Sequence, residues 1–103
     1  MLKFLVLKYK TLGCWGDSES DRAIPSDFGK LGEQGCYDKA VSLGYRVFAI
    51  NSGTKDCYTS SSAWTTYKKY GPIGCNHSEP ECLDKVNDVY EIPTGTLTRT
   101  LNK

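Results

Sequence analysis

The chain is short of the groups from which most catalytic and metal centres are built. Among its 103 residues there is one histidine, His77, so a histidine-assisted nucleophile has a single location available. The nearest cysteine, Cys75, stands two residues away in a loop, a spacing that fixes no nucleophile–base geometry. Cys75, His77 and Cys82 are unevenly spaced and include no Cys-x-x-Cys pair, the pattern of a disulfide plus a loop histidine rather than of zinc. Gly-rich phosphate loops, Ser-centred elbows and metalloprotease signatures are absent. The acidic residues Asp17, Glu19, Asp21, Glu79 and Glu81 fall in polar stretches, where carboxylates are ordinarily solvated rather than paired for glycoside hydrolysis. No catalytic residue, metal or cofactor is therefore expected.

Excess charge and long apolar runs are missing too. Thirteen basic against twelve acidic residues leave a formal charge of +1, too weak a field to recruit nucleic acid or an anionic membrane. No stretch approaches the roughly 18 apolar residues of a membrane helix, so membrane insertion is not expected. The opening "MLKFLVLKYK" imitates a secretion signal, but Lys8 and Lys10 interrupt its apolar run and no small-residue cleavage site precedes Cys14. It reads instead as a strand with apolar residues on both faces, and Met1 as an expression start.

What the chain does have is five cysteines, seven tyrosines and two tryptophans in a length that allows one core. A domain of this size buries only about two-thirds of its unfolded surface, so covalent staples add useful stability. After the first strand, Cys14 and Trp15 lead into "GDSESDR", a polar run that leaves the core as a loop. Residues 32 to 43 carry Cys36, Ala40 and Leu43 at helical spacing, and Gly44 stands where a helix ends in the left-handed conformation. "YRVFAI" (45 to 50) is dense in β-branched and aromatic residues and predicts a central strand. Asn51-Ser52-Gly53 predicts a turn, followed by a short strand at "CYTS". Serines 60 to 62 offer an N-cap for a second helix through "AWTTYKKY", stopped by Gly71-Pro72. Residues 73 to 86 read as irregular loop and "DVYEI" (88 to 92) as the last strand. The predicted class is α+β: a small disulfide-stapled domain over 1–92 with an antiparallel sheet packed against one or two short helices, then a loose tail over 93–103.

The order of these elements resembles the WSC domain, a small cysteine-rich extracellular module. Leu12-Gly13-Cys14-Trp15 matches its first strand, Arg22-Ala23-Ile24 its Arg-Ala-Leu element, and Asn87-Asp88-Val89-Tyr90 its last strand. Cys36, Gly44, Tyr45, Phe48, Gly53, Cys57 and Tyr58 match its helix, central strand and Cys-Tyr-Cys segment. Two family cysteines are replaced, by Ala40 and Thr59. Their joint absence is explained if the two positions face each other, so that one whole bridge is missing. The resemblance then implies Cys36 paired with Cys57 and Cys14 with Cys75. Cys82 is the odd one: unpaired, joined to another molecule, or the true partner of Cys14.

Disulfides imply an oxidising compartment, and Asn76-His77-Ser78 is a glycosylation sequon in a predicted loop, consistent with secretion. Tyr45, Phe48 and Tyr90 read as packing residues and Trp15 as a wedge against a disulfide. Trp64, Tyr67 and Tyr70 lie among Ser, Thr and Lys, where an exposed aromatic face suits a sugar ring. WSC-like modules are glycan-binding or cell-surface modules, which makes a lectin-like site near Trp64, Tyr67, Asn51, Asp56 and Tyr58 the first reading. The second is a structural or adhesive domain of an extracellular assembly, joined to protein neighbours or to its own copies through Cys82 or the edge of the first strand.

Overall fold

The structure, a computed structural model, describes residues 9–73 and 85–93. Most of the "MLKFLVLKYK" segment, the sequon at Asn76, Cys75, His77, Cys82 and nearly all of the tail lie outside the described residues. Four strands and two helices follow in the order β1 (Lys10–Gly16), α1 (Gly32–Leu43), β2 (Val47–Asn51), β3 (Cys57–Thr59), α2 (Ala63–Thr66) and β4 (Val86–Glu91). The strands form one antiparallel sheet ordered β1-β4-β2-β3, so the fold is α+β, as the sequence predicts. No helix among the described residues is long and apolar enough to cross a membrane.

The alternation of side chains along β2 and β4 divides the core in two. On one face, Val47, Ala49 and Val89 pack with Tyr58, Ala63 and Ile24, closed over by the segment after β1 and by α2. On the other, Phe48 and Cys57 pack beneath Cys36, Tyr37 and Ala40 of α1. α1 ends where the sequence predicts: Gly44 takes φ 76°, and its N–H bonds back to Ala40 and Val41. The Cys36–Cys57 disulfide, with 5.5 Å between Cα atoms, staples this helix to β3. Both sulfurs are fully buried. Ala40 stands one helical turn beyond Cys36, and Thr59 two strand residues beyond Cys57. Both are completely buried, on the faces that the staple holds together.

Several sequence expectations are corrected. Trp15 does not cover Cys14. Both lie within β1, where Cys14 is opposite Asp88 and Trp15 opposite Asn87, so the two side chains leave the sheet on opposite faces. Trp15 packs edge-on against Tyr67 at 5.0 Å, and its indole N–H donates to the Leu12 carbonyl. The polar run after β1 does not leave the core entirely. Asp17 is buried, and its carboxylate accepts bonds from Arg22 (2.7 Å), the Ala23 amide (2.8 Å) and Asn51 (3.3 Å). α2 is a single turn of four residues. Ser62 makes no side-chain cap, because its hydroxyl pairs with that of Ser60 instead, and Thr65 and Thr66 are weak helix formers. β2 begins at Val47 rather than Tyr45, and β4 begins two residues before Asp88.

Replacing both bridge partners, Cys36→Ala with Cys57→Ala, releases a closed loop whose constraint contributes about 3 kcal/mol. Thermal unfolding of the double variant should therefore fall by roughly 12–24 °C. An unchanged midpoint would show that α1 is held by packing alone.

Candidate functional site

A cleft of about 420 Å³ opens on the α1 side of the sheet. Its floor is Ile50 of β2 and Tyr90 of β4, and its rim carries Lys30, Glu33, Lys55 and Asp88. Tyr90 is fixed from the side by its cross-strand partner Phe48, the two rings stacked at 5.1 Å and 23°. Glu33, in the first turn of α1, accepts the Tyr9 hydroxyl at 2.6 Å and the Tyr90 hydroxyl at 3.4 Å, a clasp joining β4, α1 and the entry to β1. Asp88 accepts from the Cys14 thiol at 3.2 Å and the Ser52 hydroxyl at 3.3 Å. Both carboxylates are thus oriented before any ligand arrives.

These contacts set the local proton affinities. The hydrogen bond to Glu33 is the main reason the Tyr9 hydroxyl is pushed up to about 12. Burial is the main reason Tyr90 reaches about 12, with the Glu33 and Asp88 charges adding to it. The Cys14 thiol is pushed up to about 11, first by burial and then by its bond to Asp88, which makes it a poor nucleophile at neutral pH.

The turn between β2 and β3 supplies the rest of the rim. The Asn51 side-chain oxygen accepts the Gly53 and Thr54 amides at 3.0 and 2.9 Å, and the Asn51 carbonyl accepts the Lys55 amide at 2.9 Å. This wrapping forces Lys55 to φ 68°, the left-handed region that residues other than glycine, asparagine and aspartate rarely occupy. Lys30 meets Asp56 at 3.3 Å beside it.

The residues singled out from the sequence do not converge. Asn51 is fully buried and Tyr58 nearly so, which removes both as ligand contacts. Asn51 spends its amide nitrogen on Asn87 and Asp17, while Tyr58 packs in the core under the Arg22 guanidinium, 5.2 Å from its ring. Asp56 reaches the cleft rim through Lys30. Trp64 and Tyr67 lie on the opposite face of the sheet. Trp64 is 48% exposed, with the Arg46 guanidinium 4.9 Å above its ring and Arg46 also 3.6 Å from Glu91. Tyr67 is half-buried against Trp15. Glu33, Lys30, Lys55 and Asp88 were not anticipated, because nothing in their local sequence distinguishes them from surface charge. The available signal was the length of "NSGTKD", too long for a two-residue hairpin and so certain to project from the sheet. No protein-family profile, curated protein or solved structure matches the chain.

Tyr9 and Tyr90 hold their protons to higher pH in the fold than at the ordinary value of 10.0. Their stabilising effect is complete below pH 10 and is lost as pH rises toward 12. Tyrosine-ring NMR across that range should show the Tyr9 and Tyr90 rings titrating late, alongside Tyr37 and Tyr58, which burial also raises. In Glu33→Gln, Tyr9 should return toward 10 while Tyr90, raised chiefly by burial, moves less. Equal shifts in both would contradict this division of causes.

Proposed function

We propose that the protein is a non-catalytic extracellular binding module that holds a glycan in the cleft between α1 and the sheet. The observation that carries this reading is the cleft's composition. An apolar floor of Ile50 and Tyr90 is ringed by the Glu33 and Asp88 carboxylates, each held by protein donors, and by the Lys30 and Lys55 ammonium groups. A sugar ring is apolar on its faces and edged with hydroxyls, so it matches such a surface: the ring lies on the floor while Glu33 and Asp88 accept and Lys30 donates. Preformed geometry lowers the ordering cost of binding. The buried disulfide supports an oxidising compartment. The WSC-like frame is supported by the same staple and by the placement of Ala40 and Thr59 one step along the two elements that it joins.

The adhesive alternative draws on open sheet edges, and much of the described edge is occupied. Residues 26–29 bond along the outer side of β3, and residues 71–73 bond along the last part of β1.

A glycan array followed by calorimetry tests the proposal. Millimolar to micromolar binding to one glycan class is expected. Glu33→Ala should weaken it about tenfold, the value of a hydrogen bond to a charged group. Trp64→Ala should leave it unchanged. Loss of binding in Trp64→Ala would move the site to the α2 face. Self-association with no glycan retained would favour the adhesive domain.

A further inference from the structure

We infer that Lys55 is a specificity-determining residue that selects a sparsely acidic glycan, one carrying a single carboxylate or sulfate among neutral sugars. The inference rests on the glycan-binding reading and names the ligand class of the same cleft. Three rim charges are already engaged: Glu33 by the Tyr9 and Tyr90 hydroxyls, Asp88 by Cys14 and Ser52, and Lys30 by Asp56. Lys55, itself exposed, is the rim cation that forms no ion pair with the described residues, and it lines the cleft from the β2–β3 turn. It does so from a backbone conformation that glycine or asparagine would adopt with less strain. Backbone strain that the surrounding contacts enforce is concentrated at functional positions. Here three of the turn's contacts are accepted by Asn51, which is buried, and the Asp56 amide donates to the Thr54 hydroxyl across Lys55.

The remaining charges set the density of negative groups that the cleft tolerates. Glu33 and Asp88 place two carboxyl groups on the rim, their oxygens already accepting protein donors. An acidic group on every ring would place like groups beside them, whereas one acidic group over Lys55 meets the unengaged cation among the described rim residues. The neutral rings then occupy the Ile50–Tyr90 floor.

Three probes separate the outcomes: xylotetraose, xylotetraose bearing one glucuronate, and a galacturonate tetramer, each titrated by calorimetry into the full chain. The singly acidic probe should bind about tenfold tighter than its neutral counterpart, the worth of one charge-assisted bond. That advantage should shrink as salt rises. In Lys55→Asn, which suits the left-handed backbone, the advantage should vanish without loss of thermal stability, and Lys55→Arg should restore most of it. Equal affinity for the neutral and singly acidic probes, in both the parent chain and Lys55→Asn, overturns the inference while leaving glycan binding intact. Tightest binding of the galacturonate tetramer overturns it as well. If no probe binds and the array is also blank, the glycan reading itself fails.

Discussion

The side chain of Asn51 is the interaction on which the rest of the structure depends. Its nitrogen bonds to Asn87 in the neighbouring strand and to Asp17 in the segment after β1. Its oxygen holds the two amides that start the β2–β3 turn. One fully buried amide therefore fixes the sheet register, the path of the covering loop and the rim of the cleft. An amide is suited to this task because it offers donors and acceptors together, and each buried polar group left unpaired would cost about 1–3 kcal/mol. Asp17 completes the arrangement: Arg22 neutralises it, and the Ala23 amide that it binds leads into Ile24, a fully buried core residue. The loop is anchored at both ends, by a charge and by an apolar plug.

On the other face the organisation is covalent and aromatic. The disulfide holds α1 against β3, and Phe48 stacks against its cross-strand partner Tyr90. Tyr9 meets Tyr37, Phe48 and Tyr90 with ring centroids between 5.2 and 5.4 Å, so its hydroxyl is carried to Glu33 by packing rather than by chance. The cleft is what remains between the start of α1 and the turn that Asn51 holds. Its floor belongs to the sheet and its rim to the helix start, the turn and Asp88 of β4, all on the α1 side of the molecule.

Much of this was legible in the sequence. The helix over residues 32 to 43 was bounded correctly because two independent signals agreed, the spacing of Cys36 and Ala40 and the glycine at 44. The strands at β2 and β3 followed from β-branched and aromatic residues. The Cys36–Cys57 bridge followed from a family resemblance rather than from spacing, and it is present. The errors share a cause. Asp17, Asn51 and Tyr58 were read by residue type, as surface charge or ligand contacts, but each is buried by tertiary partners distant in sequence. Trp15 was assigned to Cys14 because they are adjacent in sequence, and adjacency along a strand places side chains on opposite faces. The left-handed backbone of Lys55 carries no local signal, since it is imposed through Asn51 and not by the propensity of lysine; only the length of the turn marks it.

Amide chemical-shift mapping tests the central claim most directly, that the cleft organised by Asn51 is the binding surface. The isotope-labelled full chain would be titrated with xylotetraose bearing one glucuronate. The account predicts saturable shifts clustered at Lys30, Glu33, Ile50, Lys55, Asp88 and Tyr90, with Trp64, Tyr67 and Tyr70 unmoved. Shifts confined to residues 64–70, or no saturable shifts at millimolar ligand, would contradict it.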